Sequence, residues 1–89
     1  MSADLESLFN QASEDVTKLS EAPDNLTKLK LYALYKLGSK GACTGDRPGM
    51  MDFVARAKYD AWKELGDISQ DEGKQQYIDL VESLKAADA

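Results

Sequence analysis

The sequence contains no histidine, one cysteine and two prolines among its 89 residues. Without histidine the chain lacks the most common general base of nucleophilic enzymes, and Cys43 alone cannot close an intrachain disulfide or build a zinc site. No uncharged run approaches the ~20 residues that span a bilayer. These absences exclude an internal disulfide and a structural zinc site, disfavour most enzyme classes, and favour a binding protein.

A chain of this length with 43% hydrophobic and 30% charged residues is typical of one globular domain, so we expect a single domain over residues 1–89. The first six residues have neither the basic flank and apolar stretch of a secretory signal nor the arginine-rich character of a transit peptide. We therefore expect a cytoplasmic monomer without stable membrane insertion.

The charges are unevenly distributed. Residues 28–63 contain eight bases against three acids, a net charge of +5, whereas residues 1–27 and 64–89 each carry −5. The overall charge of −5 argues against a nucleic-acid partner, because such proteins usually carry a basic footprint. The basic middle also contains Tyr32, Tyr35, Tyr59 and Trp62, and cations interleaved with flat rings suit a nucleotide. The other interpretation is that the rings are core and the bases are a solvated face.

Hydrophobic residues recur at spacings of three and four, which predicts four helices and no strand. The first helix carries Leu5, Leu8, Phe9, Ala12, Val16 and Leu19 and ends at residues 20–23. The second begins at Asp24 or Asn25, ends at Gly38, and has the apolar stripe Leu26, Leu29, Ala33 and Leu37. The third runs from Asp52 or Phe53 to near Gly66, with Val54, Ala61, Trp62 and Leu65 in one arc. The fourth opens with a capping box of Ser69 and Glu72, places Gly73, Tyr77, Leu80, Val81 and Leu84 on one face, and frays after Lys85.

The connections predict how the helices are arranged. Short connections favour antiparallel neighbours for helices 1 and 2 and for helices 3 and 4. Residues 38–52 contain four glycines and one proline, so they form a long loop that permits helices 2 and 3 to run parallel. The predicted fold is an all-α four-helix bundle with a long loop between helices 2 and 3.

Two features stand out on the helical wheels, one on helix 2 and one on helix 3. Tyr32, Tyr35 and Lys36 share one surface of helix 2, and Lys28 points the same way. Lys58 falls within the apolar arc of helix 3. Its stem either covers the core while the ammonium reaches water, or its charge holds an anion at the edge of a pocket.

Several ordered blocks of the sequence resemble the acyl-CoA-binding proteins. They are Tyr32-Ala33-Leu34-Tyr35-Lys36, Arg47-Pro48-Gly49-Met50 with Asp52-Phe53, Ala57-Lys58-Tyr59-Asp60-Ala61-Trp62, and Tyr77-Ile78-Asp79-Leu80-Val81. The blocks follow the family pattern without insertion from about Phe9 to Leu84. Departures occur at Leu37-Gly38-Ser39 and the loop to residue 46, at Tyr59 where a tryptophan is common, and at Thr17 where some members have a lysine.

The resemblance implies a helical carrier of medium- to long-chain fatty-acyl-CoA thioesters that forms an intracellular pool and performs no catalysis, with no cofactor and no metal. The head group would then be held by Tyr32, Tyr35, Lys36, Lys58 and Tyr77. Further contacts are expected from Lys18, Ala12, Leu29, Ala33 and Leu34. Expected partners are the acyl-CoA itself and, transiently, enzymes that use it or membranes.

Two alternatives remain at this point. One is a helical interaction module whose basic middle docks an acidic protein, and the other is a single-stranded nucleic-acid binder, which the acidic ends disfavour. A carrier binds palmitoyl-CoA with no other protein present, whereas an interaction module does not.

Overall fold

A computed structural model describes residues 2–88 of the chain, with the backbone alone for Ser2 and Ala3; Met1 and Ala89, the ends of the predicted domain, lie outside the described residues. The elements are α1 (Ser2–Asp15), continued by a 3₁₀ turn (Val16–Lys18), α2 (Asn25–Lys40), α3 (Phe53–Glu64) and α4 (Gln70–Asp88). No strand occurs within residues 2–88. The prediction of an all-α fold with a long connection between α2 and α3 is confirmed.

Three helices begin at side-chain caps that the sequence supplies. The carboxylate of Asp24 accepts from the backbone N–H of Thr27 at 2.7 Å, and that of Asp52 accepts from Ala55 at 3.2 Å. The hydroxyl of Ser69 accepts from the N–H of Glu72 at 3.1 Å. Each cap satisfies one backbone donor that the first turn of a helix leaves unpaired. Only half of the predicted capping box is present, because the Glu72 carboxylate accepts from Gln76 instead.

The helices pack in the order α3, α2, α4, α1, and the Cα atoms span only 15 Å along the shortest axis of the molecule. Ion pairs Glu6–Lys74 and Asp15–Lys85 show that α1 and α4 run parallel. The helices α2 and α3 also run parallel, an arrangement that the long loop permits, since their first turns lie side by side and Trp62 near the end of α3 meets Gly41 at the end of α2. The antiparallel directions of α1 and α2 and of α3 and α4 are confirmed. Within residues 2–88 the backbones of α1 and α2 do not come into contact, but the two helices meet through side chains, as where Phe9 stacks on Tyr35. The predicted packing of α3 beside α4 is wrong.

Helix α2 is the central element and therefore has two buried faces. Leu31 and Leu34 face α1 and α4, where they join Phe9, Ala12, Tyr77, Ile78 and Val81 in the larger core. Ala33 and Leu37 pack with Trp62 of α3 in a smaller one, and Leu37 also lies against Gly73 of α4. The single predicted stripe covered only the second face, and its first member, Leu26, is 78% exposed.

Two buried glycines allow α2 and α4 to approach closely. A Cβ on Gly73 would lie 3.0 Å from Leu37 and 3.2 Å from the backbone nitrogen of Gly38. Gly38 lies within α2, which continues to Lys40, so the predicted helix end at Gly38 is wrong. The helix ends at Gly41, whose φ of 90° is in the left-handed region and whose N–H donates to the carbonyl of Leu37 at 2.8 Å.

Other differences from the prediction concern exposure and the last helix. Leu8 and Val54, expected on buried faces, are 53% and 66% exposed. Val54 is exposed because α3 packs against α2 alone and has one narrow buried edge. Helix α4 continues through the predicted frayed tail to Asp88, whose carboxylate accepts two hydrogen bonds from Ser20. Between residues 2 and 88 no helix combines the length and apolarity needed to cross a bilayer.

Candidate functional site

An open cleft of about 480 Å³ lies along the parallel pair α2 and α3. We call it the aromatic cleft; it is lined by Tyr32, Lys36, Pro48, Asp52, Val54, Ala55, Lys58, Tyr59 and Trp62. Residues four apart on a helix share a face, and Val54, Lys58 and Trp62 follow this spacing on α3, as Tyr32 and Lys36 do on α2. The two helices therefore present rings and cations to one space.

The cations of the cleft lie against aromatic rings. The Nζ atom of Lys36 is 5.1 Å from the centroid of a Trp62 ring and 5.9 Å from that of Tyr32. The Nζ atom of Lys58 is 5.1 Å from the Tyr32 centroid. Among the described residues neither lysine forms an ion pair. The cleft thus combines two uncompensated cations with flat rings, a set that binds phosphate groups and planar heterocycles.

Three contacts hold the loop after α2 against α3, and we call them the loop clasp. The indole Nε1 of Trp62 donates to the carbonyl of Gly41 at 2.9 Å, and the hydroxyl of Tyr59 donates to that of Gly45 at 2.8 Å. Arg47 donates to both carboxylate oxygens of Asp60, at 3.0 and 2.7 Å, and this guanidinium lowers the pKa of the Asp60 carboxyl. The clasp positions the chain that leads into Pro48, so the loop forms one wall of the aromatic cleft.

A second, more apolar space of about 380 Å³ adjoins the cleft between the first turns of α2 and α3. We call it the apolar groove; its lining residues are Asn25, Lys28, Leu29, Phe53, Val54, Ala57 and Lys58. Val54 and Lys58 also line the aromatic cleft. The two spaces therefore form one continuous surface, charged and aromatic at one end and apolar at the other.

Tyr35 and Tyr77, predicted as site residues, form a cluster with Phe9 and do not line the aromatic cleft. The ring of Phe9 stacks on Tyr35 with centroids 5.3 Å apart and meets Tyr77 edge-on at 5.2 Å. Tyr35 is 41% exposed and Tyr77 only 4%. Burial raises the pKa of the Tyr77 phenol, and the neighbouring Tyr35 phenol raises it further. The structure thus brings Tyr32, Lys36 and Lys58 together in the aromatic cleft, whereas Tyr35 and Tyr77 do not line it.

The additional predicted contacts are spread over the molecule. Leu29 lines the apolar groove. Ala12, Ala33 and Leu34 are core residues, each no more than 2% exposed. Lys18 is exposed in the 3₁₀ turn, beside a separate hollow of about 390 Å³ that Thr17 and Lys28 help to line. Of these five residues, only Leu29 lines the cleft or the groove, where it lies in the same space as Lys28 and Lys58.

The site predicted from the sequence omits several residues of the cleft and groove, namely Lys28, Pro48, Phe53, Tyr59 and Trp62. Lys28 and Trp62 carried a usable signal. Lys28 is four residues before Tyr32, and Trp62 is four residues after Lys58, so each shares a helical face with a predicted site residue. Pro48 carried none, because its place depends on how the loop folds back. Within residues 2–88 no cluster of three or more histidine, cysteine or carboxylate groups is placed to hold a metal ion.

Comparisons with known proteins agree with this geometry. A family model described as acyl-CoA-binding protein matches residues 6–81. The acyl-CoA-binding protein homolog 1 of Caenorhabditis elegans is 42% identical over 78 residues, which are 88% of this chain and 91% of that protein. The enoyl-CoA delta isomerase 2 of Rattus norvegicus is 46% identical over 79 residues, 89% of this chain, but the chain spans only 20% of that enzyme.

The fold is similar to that of solved members of the same family. The crystal structure of Oryza sativa acyl-CoA-binding protein 2 superposes with a TM-score of 0.91 at 36% identity, covering 99% of this chain and 97% of that one. The structure from Moniliophthora perniciosa superposes with a TM-score of 0.86 at 31% identity, covering 94% of this chain and 84% of that one. The chain therefore belongs to the acyl-CoA-binding protein family.

Proposed function

We propose that the chain binds medium- to long-chain fatty-acyl-CoA thioesters and carries them unchanged, with the CoA head group in the aromatic cleft and the acyl chain in the apolar groove. The observation that carries this proposal is the continuity of the two spaces through Val54 and Lys58. A thioester of this class has one anionic, heteroaromatic end and one apolar end. The surface has the same division, and family membership supports the assignment.

The head group would be held mainly by Lys36 and Lys58. Neither ammonium group has an acidic partner in the described residues, so each can form a charge-assisted hydrogen bond with a phosphate without breaking an ion pair of the protein. The rings of Tyr32 and Trp62 already lie against these cations and offer a stacking surface for adenine. Tyr35, with 41% of its surface exposed, remains a proposed contact at the edge of the head group, and Tyr77 supports it from beneath.

The acyl chain would lie on Leu29, Phe53, Val54 and Ala57. Burial of each methylene is worth about 0.8 kcal/mol, so the groove adds affinity in proportion to the chain length that it covers. Lys28 stands at the rim, where its cation is able to meet a phosphate between the two ends of the ligand. We do not carry Ala12, Ala33 and Leu34 forward as contacts, because each is at most 2% exposed and none lines the aromatic cleft or the apolar groove.

We further propose that the chain acts as a carrier rather than an enzyme. The cleft offers cations, rings and one aspartate, and that Asp52 carboxylate already accepts a hydrogen bond as a helix cap. This set holds a ligand and contains no nucleophile paired with a base. The proposal extends to one binding domain over residues 1–89, a monomeric state, a cytoplasmic location, no cofactor, and transient contact with enzymes that use acyl-CoA.

Calorimetric titration at fixed salt tests the proposal with palmitoyl-CoA, free CoA, free palmitate and a series of acyl-CoAs of increasing chain length. We expect affinity to rise with chain length until the groove is filled and then to level off. We expect palmitoyl-CoA to bind orders of magnitude more tightly than either half, because linked halves share one cost of association. If free CoA bound as tightly as palmitoyl-CoA, the assignment of the acyl groove would be rejected. If free palmitate bound as tightly as palmitoyl-CoA, the assignment of the head-group site would be rejected.

A further inference from the structure

Four large hydrophobic side chains are exposed within five consecutive residues at the entrance to α3. Met50 is 75% exposed, Met51 94%, Phe53 79% and Val54 66%. We call Met50, Met51 and Phe53 the methionine tip. Apolar side chains that gather on a surface in this way mark sites of interaction rather than ordinary exposed residues.

The tip is held in place by local structure. The N–H of Asp52 donates to the carbonyl of Gly49 at 3.1 Å, which closes a turn with Met50 and Met51 at its two central positions. Turns usually place Gly, Asn, Asp, Ser or Pro at such positions, because these residues tolerate water and tight backbone angles. Asp52 then caps α3, which fixes the direction of the turn relative to the helix. Two flexible apolar side chains are thus presented outward at the apex of an ordered turn.

The surroundings of the tip are mainly cationic, and the carboxylate of Asp52, between Met51 and Phe53, accepts a hydrogen bond as the cap of α3. Arg56 lies one turn into α3, and Lys28 and Lys58 line the groove beside Phe53. In the described part of the chain none of these three cations has an acidic partner within ion-pair distance. Most acids of the two acidic segments lie in α1 and α4, whose backbones do not contact α3. The charge around the tip therefore complements an anionic surface.

The tip is also continuous with the apolar groove, because Phe53 belongs to both. Met50 and Met51 do not line the groove or the aromatic cleft, so a ligand bound there leaves them exposed. An apolar chain that leaves a bilayer under the tip would enter the groove past Phe53 without crossing water. This continuity favours a lipid surface over a folded acidic protein as the partner.

We propose that the methionine tip docks onto anionic lipid bilayers, with Met50, Met51 and Phe53 entering the interface and the neighbouring cations meeting the lipid head groups. The docking is reversible, because three side chains bury little apolar area and each cation contributes modestly. The purpose of the docking, loading and release of the acyl chain at the membrane, rests on the function proposed above. The docking itself does not require it.

The experiment measures cosedimentation of the ligand-free protein with vesicles of phosphatidylcholine alone or with about one third phosphatidylserine. The test variant is Met50→Gln with Met51→Gln, which keeps side-chain length and removes apolarity. The matched control is Leu8→Gln, since Leu8 is also an exposed hydrophobic residue, 53% exposed, but lies on α1. A third variant, Arg56→Gln, removes one cation that does not line the groove.

We expect the parent to prefer phosphatidylserine vesicles by at least about tenfold, with the preference falling as salt is added. The double methionine variant should lose roughly tenfold in vesicle binding, Arg56→Gln should lose about severalfold, and Leu8→Gln should match the parent. Palmitoyl-CoA affinity in vesicle-free solution should be the same for all four proteins.

Three results would overturn the docking proposal. They are no vesicle binding by the parent, equal binding by the double methionine variant, and self-association in analytical ultracentrifugation that the double variant abolishes. Vesicle binding without palmitoyl-CoA binding would support docking and reject the proposed function, so the two failures are distinguishable.

Discussion

The indole nitrogen of Trp62 donates a 2.9 Å hydrogen bond to the carbonyl of Gly41, the residue that ends α2. The same indole packs on Ala33 and Leu37 on one side and lies under the Lys36 ammonium on the other. One side chain therefore fixes the loop, fills the smaller core and forms part of the aromatic cleft. Under the function proposed above, stability and ligand binding are coupled at this residue.

Replacement of Trp62 by phenylalanine should test this coupling. The ring remains, but the hydrogen bond to Gly41 is lost and the smaller ring fills less of the core. We expect the free energy of unfolding to fall by about 1–3 kcal/mol in urea titrations, with weaker palmitoyl-CoA binding. A variant as stable as the parent would show that the loop clasp does not depend on the indole.

Replacement of Lys36 or Lys58 by alanine should weaken palmitoyl-CoA binding by about 1–3 kcal/mol, the scale of charge-assisted hydrogen bonds. Both losses should shrink at high salt. The matched control is Lys30→Ala, since Lys30 is an exposed lysine of α2 that does not line the cleft or the groove. Both lysine variants should also be nearly indifferent to removal of the 3′-phosphate from the ligand. An unchanged loss with dephospho-CoA esters would reject a contact to that phosphate.

Replacement of Gly73 by alanine should destabilise the protein although alanine favours helices. The new methyl group would lie 3.0 Å from Leu37, which is fully buried, and 3.2 Å from the backbone of Gly38, so neither neighbour can yield easily. We expect the free energy of unfolding to fall by about 1–2 kcal/mol, since overpacking exceeds the gain of helix propensity. Gly49→Ala is the control, because a methyl group added there would meet no packed neighbour within 4 Å and the φ of Gly49 is not positive. Equal stability of the two variants would contradict the close approach of α2 and α4.

The Arg47–Asp60 pair should give a specific dependence on pH. Arg47 lowers the pKa of Asp60 in the folded protein, so folding favours the ionised carboxylate. This contribution is complete above the ordinary aspartate pKa of about 3.9 and is lost as the pH falls through the lowered value. The difference in urea midpoint between the parent and Asp60→Asn should therefore be constant from about pH 7 to 5 and close below about pH 4. A difference that persists at low pH would mean that the pair's charge does not stabilise the fold.

Much of the helical architecture follows from local signals. The caps at Asp24, Asp52 and Ser69 lie where the sequence predicts helix starts, because a short side chain that accepts a backbone N–H is a property of a few adjacent residues. The end of α2 was predicted wrongly for the opposite reason. Gly38 serves a contact with α4, whereas Gly41 stops the helix, and the sequence alone does not tell these two uses of glycine apart.

The candidate site was predicted in part. Helical spacing places Tyr32 and Lys36 on one face and singles out Lys58, and the structure brings these side chains together. Their role in binding came from the family resemblance and stays a prediction. The methionine tip and Pro48 could not be found in this way, because their position depends on the path of the loop. The two buried faces of α2 were also missed, since a central helix is recognised only when the packing order of the others is known.

The layer order of the helices implies an uneven free energy of local opening. Among the described elements α3 packs against α2 alone, while α4 has neighbours on both sides. Detachment of α3 with its loop would leave the larger core intact, so this segment should exchange its amide hydrogens at a cost below that of global unfolding. A ligand that bridges α2 and α3 adds its binding free energy to that lower cost. On ligand binding, protection of amide hydrogens from exchange should then rise in α3 far more than in α1 and α4. The ligand therefore determines how cooperatively α3 unfolds with the rest of the protein.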